Sequence, residues 1–167
     1  YVSQLDGMRP YRIVQAEFEN CWRGITSAAA AGGTILFNEL LFGSTPSAFS
    51  ASPEDQIGIQ LDGQHAGFEI QENSFIYDEE GVTNSIGFRI AGIGIAPNVL
   101  RKNYFTGIMI PHEAFGRNAL NSEVNSSGLR LLCEEMDNTH HDGVDVFIPE
   151  TGVVDNIYQI QGVGEFD

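Results

Sequence analysis

Ser85-Ile86-Gly87-Phe88-Arg89-Ile90-Ala91-Gly92-Ile93-Gly94-Ile95 is the stretch on which the reading of this chain turns. Ile86, Phe88 and Ile90 alternate with small or charged residues, and Ile93 and Ile95 resume the alternation after a glycine-containing step. Successive side chains of a strand point to opposite faces, so the pattern describes a strand with one face turned to a core. The break at Gly92 marks a bulge or a bend. An amphipathic helix would need apolar residues three and four apart, and no long stretch of that kind occurs.

The same signature recurs outward from this stretch. Short apolar or alternating runs at 11–19, 34–42, 56–62, 66–71, 74–78, 104–110, 129–135, 144–148 and 156–163 are separated by glycine, proline, asparagine and serine. Asp62-Gly63, Glu80-Gly81, Asp142-Gly143 and Thr151-Gly152 each set a residue that tolerates positive φ between two such runs, which predicts hairpins. Helical signals are confined to a turn or two over 25–31 and to Pro111 followed by His112, Glu113, Ala114 and Phe115. The segments 44–54 and 118–127 read as loops, and no internal repeat or low-complexity tract is seen. The expectation is an all-β fold: an antiparallel β-sandwich of jelly-roll type with one or two short helices, a single domain over 1–167.

Composition narrows the functions. At 167 residues the chain is long enough to bury a core without disulfides or metal. Its net charge of -15 comes from 23 acidic residues against eight basic ones, and Lys102 is the one lysine. Nucleic-acid binding needs a lysine- and arginine-rich surface that displaces counterions, so no nucleic-acid partner is expected. Anionic membrane surfaces are disfavoured by the same charge, and no apolar run is long enough for membrane insertion as a helix. An acidic surface suits solubility, cation binding or a basic neighbour. The start at Tyr1 rather than methionine is what removal of a leader, excision from a longer chain or engineering would leave. Cys21 and Cys133 have neither the number nor the spacing of a zinc ribbon, and either form one long-range bridge or stay as buried free thiols. The sequon Asn125-Ser126-Ser127 is near chance frequency.

Gly33-Thr-Ile-Leu-Phe-Asn38, Phe49, Ile57-Gly-Ile-Gln-Leu61 and Ala66-Gly67-Phe68 resemble the early strands of the C1q/TNF-like jelly roll. The resemblance covers a minor part of the chain. It departs at the end, where the family's threonine-phenylalanine-glycine element is replaced by Gln161-Gly-Val-Gly-Glu-Phe-Asp167. It implies a trimer with a compact, recognition-bearing head on a stalk or particle, and assigns no site residue.

The most polar segment spans 133–145. Calcium takes six to eight oxygens, which Glu134, Glu135, Asp137, Asn138, Asp142 and Asp145 would partly supply, while zinc or iron would use His140 or His141 with Asp142. The spacing is not that of an EF-hand, and adjacent histidines such as His140 and His141 point to opposite faces of a strand. The other reading is a solvated loop. Trp22, Tyr77, Tyr104 and Tyr158 are the aromatics able to stack on a sugar face, or else they pack in the core. No G-x-S-x-G elbow and no dinucleotide fingerprint occurs, so no catalytic residue is assigned and no cofactor is required, Ca2+ being the one candidate ion.

Three functions fit these residues. The first is a structural, assembly or surface-recognition domain of an extracellular particle or virion. It would work as a homo-oligomer or against a neighbouring subunit, through strand edges and residues such as Leu40, Leu41 and Phe42. The second is a carbohydrate- or receptor-binding module that uses calcium. The third is a metal-dependent enzyme.

Overall fold

Each alternating run pairs with its counterpart one turn further along the chain, in parallel. The computed structural model describes residues 2–3, 10–28, 32–43, 55–63, 67–77, 85–120, 127–137 and 146–147. Their strands fall into three sheets. Sheet A contains β1 (Val2–Ser3), β4 (Arg23–Ala28), β7 (Gln56–Asp62), β10 (Ser85–Ala91), β13 (Ile110–Phe115) and β17 (Val146–Phe147), in that order. Sheet B runs from β2 (Tyr11–Val14) through β5 (Gly33–Leu36), β8 (Phe68–Gln71) and β11 (Asn98–Arg101) to β15 (Ser127–Leu132). Sheet C stacks β3 (Glu17–Glu19), β6 (Glu39–Phe42), β9 (Ser74–Tyr77), β12 (Tyr104–Thr106) and β16 (Glu135–Asp137). The chain visits B, C and A in turn and then repeats, which makes a parallel β-solenoid. One pairing among the described strands is antiparallel, that of β14 (Ala119–Leu120) with β15.

The antiparallel sandwich expected from the sequence is therefore corrected. Alternation reports that one face of a strand is buried and says nothing about the direction of its neighbour. Gly63 has the positive φ expected of the Asp62-Gly63 turn, yet that turn leads from β7 towards β8, which lies in another sheet and runs in the solenoid's own sense. The other three turn dipeptides and the run 156–163 lie outside the described residues. The helical expectations fail as well: residues up to Ala28 form β4, and Pro111 lies inside β13, so no helix occurs among the described residues. The run 11–19 is cut in two at Gln15 and the run 34–42 at Phe37, each cut being a corner between sheets B and C.

That corner is the organising feature of the fold. Gln15, Phe37, Glu72, Lys102 and Cys133 all have φ between 50° and 56°, and all are exposed. Such a conformation is unusual for bulky side chains, so something must hold it. The residues that follow supply the hold. Asn38, Asn73 and Asn103 are buried and stacked as a ladder. Asn38 Nδ2 donates to Asn73 Oδ1 at 2.9 Å, Asn73 Nδ2 to Asn103 Oδ1 at 2.9 Å, and Asn103 Nδ2 to Glu134 Oε1 at 3.2 Å. The backbone N–H groups of Ala16, Asn38 and Asn73 donate to the asparagine of the next turn. Polar groups left open inside the corner would each cost about 1–3 kcal/mol, and the ladder closes them.

Apolar residues fill the interior as columns along the axis. Sheet B contributes Ile13, Ile35, Ile70, Leu100 and Leu131. Sheet C contributes Phe18, Leu40, Phe75, Phe105 and Met136, with the Phe75 and Phe105 rings stacked at 4.9 Å. Sheet A contributes Ile25, Ile59, Phe88 and His112. Glycines make room for the rings: a Cβ on Gly58 would fall 2.6 Å from Phe75 Cε1, and one on Gly87 2.5 Å from Phe105 Cε1. Cys21 and Cys133 are free thiols on the first and last described turns, Cys21 half-buried and Cys133 exposed, so the long-range bridge is not formed.

Candidate binding face

Sheet A turns Ile25, Ile59, Phe88, Leu61 and Ile90 into the core. Alternation then sends the residues between them outward. Thr26, Gln60, Arg89 and Glu113 are consecutive partners across β4, β7, β10 and β13, so they form one polar row along the axis, one side chain per strand. Beside it runs a second row, Ala28, Asp62, Ala91 and Phe115. Parallel strands lie about 4.8 Å apart, which fixes the spacing of both rows.

Arg89 is the centre of this face. Its Nε donates to Glu113 Oε2 at 2.5 Å and its Nη2 to Asp55 Oδ2 at 2.5 Å. Burial alone would lower the guanidinium pKa, but the hydrogen bonds and charges of Asp55 and Glu113 outweigh it and leave Arg89 raised. The cation is therefore permanent and rigidly held, with two of its five N–H donors used by these carboxylates. Next to it, Gln60 Nε2 donates to Asp62 Oδ2 at 2.6 Å, while Gln60 Oε1 is buried with no hydrogen-bond partner. Along this face Thr26 and Glu113 are buried, Asp55, Gln60, Asp62 and Arg89 are half-buried, and the small residues Ala28 and Ala91 flank them. Its carboxylates at Asp55 and Glu113 are engaged with Arg89, which does not leave them paired as a free acid and base.

Of the residues expected to bind a cation, Glu134, Glu135 and Asp137 lie among the described residues. Glu134 turns inward, its side chain 5% exposed, and takes the fourth rung of the asparagine ladder. Glu135 and Asp137 are exposed on β16. Asn138, His140, Asp142 and Asp145 lie outside the described residues. Among the described residues no three His, Cys, Asp or Glu side chains are grouped to hold a metal. Three of the four aromatics lie among the described residues. Tyr77 belongs to the core, Tyr104 is half-buried on β12 with its hydroxyl 3.5 Å from Asp137 Oδ2, and Trp22 is half-buried before β4. Tyr158 lies outside the described residues. Leu40 and Phe42 are core residues, while half-buried Leu41 lines an apolar hollow with Phe18, Cys21 and Ile57.

Sequence reasoning missed Gln60, Arg89 and Glu113 as a group because they lie far apart in the chain. The signal was there in the aligned hexapeptides Arg23-Gly-Ile-Thr-Ser-Ala28, Ile57-Gly-Ile-Gln-Leu-Asp62 and Ile86-Gly-Phe-Arg-Ile-Ala91, each with a polar residue at its fourth place. Comparison with family models, curated proteins and solved structures gives no match. The reading of this face therefore rests on its geometry.

Proposed function

We propose that this chain is a surface-recognition or assembly domain of an extracellular particle or virion that works through the outside of its solenoid and carries out no reaction. The observation that supports this most is Arg89, fixed between Asp55 and Glu113 in an axial row with Gln60 and Thr26. A solenoid presents such a row without rearrangement, so little ordering entropy is lost when an extended partner lies along it. The partner is either a polar surface of a neighbouring subunit or a glycan. Ligands rich in hydroxyl groups match the alternating donors and acceptors of Gln60, Asp62 and Arg89, and this favours a cell-surface glycan where the chain acts alone.

The test is a glycan array together with solution mass by light scattering, for the native chain and for Gln60→Ala and Arg89→Gln. Binding to a glycan class, or self-association, that falls at least tenfold in both variants while the circular dichroism stays native would carry the reading. Binding or association equal in all three proteins would place recognition elsewhere on the molecule.

A further inference from the structure

Sheets B and C turn opposite charges outward, at matching heights along the axis. In sheet B the column of Ile35 and Leu100 fills the core, so the columns on either side of it face out. One of these carries Arg12, Glu69 and Arg130, and the other carries Arg101. In sheet C the column of Phe75 and Phe105 points inward. Its outward columns carry Glu17, Glu39 and Glu135 in one and Glu19 and Asp137 in the other, with no lysine or arginine in either. All these charged residues are exposed except Arg130, which is half-buried. Among the described residues neither Arg12 nor Arg101 is in an ion pair, and nor is any of these carboxylates of sheet C.

Each turn of the solenoid passes through B and then C, so a charge on one sheet has a fixed height relative to the other. Arg12 shares a turn with Glu17 and Glu19, and Arg130 shares the last described turn with Glu135 and Asp137, about 19 Å further along the axis at four strand spacings. Arg101 lies one turn before Arg130. Glu69, the acid of the basic face, lies at the height of Ser74 and Ile76, where sheet C is uncharged. A second copy set beside the first, axes parallel and its sheet C against sheet B, would bring cations to acids at both ends of the face. Between them lie Val99 on sheet B and Ile76 on sheet C, both half-buried. Packed sheets stand about 10 Å apart, a gap that arginine and glutamate side chains bridge from both sides. At a net charge of -15 most approaches between copies are repulsive, and sheet B gives an acidic face a positive surface to meet.

We propose that copies of this chain associate side by side, sheet B of one against sheet C of the next. Charge complementarity sets the register and the choice of face. The interface is heterologous, so each added copy leaves one sheet B and one sheet C open until a ring closes. It does not use the outer face of sheet A, and either can fail without the other.

The test is solution mass by light scattering over a concentration series at about 0.15 M salt, where exposed charges beyond about 8 Å are largely screened. The native chain should gain mass with concentration. Arg12→Glu/Arg101→Glu and Glu17→Lys/Glu135→Lys should each self-associate at least tenfold more weakly, because each sets like charges face to face. Mixed in equal amounts, the two variants should associate at least tenfold more tightly than either alone, because the reversed sheet B of one then meets the reversed sheet C of the other. A native chain that stays monomeric at every concentration overturns the proposal, as do variants that associate like the native chain or a mixture without gain. If either pair of reversals unfolds the chain, Arg12→Gln/Arg101→Gln takes its place with a smaller expected loss, and no loss there overturns the proposal equally. Association that is lost in Gln60→Ala and Arg89→Gln but kept in Arg12→Glu/Arg101→Glu overturns this interface and supports the face of sheet A.

Discussion

His112 Nε2 lies 3.7 Å from Glu134 Oε2, and both side chains are enclosed by the solenoid, 1% and 5% exposed. The imidazole extends the aromatic interior, stacked 5.5 Å from Phe88 and edge-on to Phe105 at 5.0 Å, while the carboxylate ends the asparagine ladder. Removing the imidazole takes a polar neighbour from the buried Glu134 carboxyl, so His112→Phe should cost about 1–3 kcal/mol. The double change His112→Phe/Glu134→Asn continues both the aromatic column and the ladder, and should recover to within about 1 kcal/mol of the native chain. Urea denaturation of the two single variants and the double reads the coupling. Additive losses would mean that the two residues act independently.

Asn73 is the middle rung. Its Oδ1 accepts from the backbone and side chain of Asn38, and its Nδ2 reaches Ile35 O, Gln71 O and Asn103 Oδ1. Asn73→Ala opens several buried groups at once and should cost about 3 kcal/mol or more. Ala16 has no side-chain amide and its N–H already meets Asn38, so Ala16→Asn should change the urea midpoint little. Equal effects at the two positions would deny the ladder its role.

Two glycines separate crowding from backbone conformation. A Cβ at Gly87 meets Phe105 Cε1 at 2.5 Å and Pro111 O at 2.7 Å, whereas at Gly92 it meets nothing within 4 Å but the φ is +61°. Gly87→Ala should therefore cost about 3 kcal/mol through overpacking. Gly92→Ala should cost about 1–2 kcal/mol through conformation alone. Thermal denaturation of both variants checks the order.

Tyr11 makes alkaline stability dependent on one phenol. Burial raises its pKa above the usual 10.0, and a hydrogen bond with Ser27 offsets part of the rise. The folded chain then keeps this proton to higher pH than the unfolded chain does. The contribution is complete below pH 10.0 and is lost as the pH climbs through the raised value. Tyr11→Phe should flatten the fall in melting temperature above that pH. An unchanged slope would show that another group governs it.

Strands were legible in the sequence and their partners were not. Ile86, Phe88 and Ile90 announce a one-sided strand equally well in a sandwich or a solenoid. What distinguishes them is the recurrence of Phe37-Asn-Glu-Leu40, Glu72-Asn-Ser-Phe75 and Lys102-Asn-Tyr-Phe105, one ladder corner per turn. The turns begin at Tyr11, Gly33, Phe68, Asn98 and Leu129, so the intervals are unequal and no fixed period appears. The candidate face was hidden for the same reason, because Gln60, Arg89 and Glu113 meet only once the register is known. Glu134 stands where three earlier turns place Asn38, Asn73 and Asn103, a relationship its acidic neighbourhood concealed in the sequence.

The most direct test of the parallel solenoid is a set of inter-strand proton contacts from nuclear magnetic resonance of the labelled chain. Contacts between the Hα and amide protons of neighbouring strands should link Ile25 with Ile59, Ile59 with Phe88 and Phe88 with His112, each in parallel register. Strong Hα to Hα contacts between β7 and β10, the mark of antiparallel neighbours, would contradict the fold and with it the row that carries Gln60, Arg89 and Glu113.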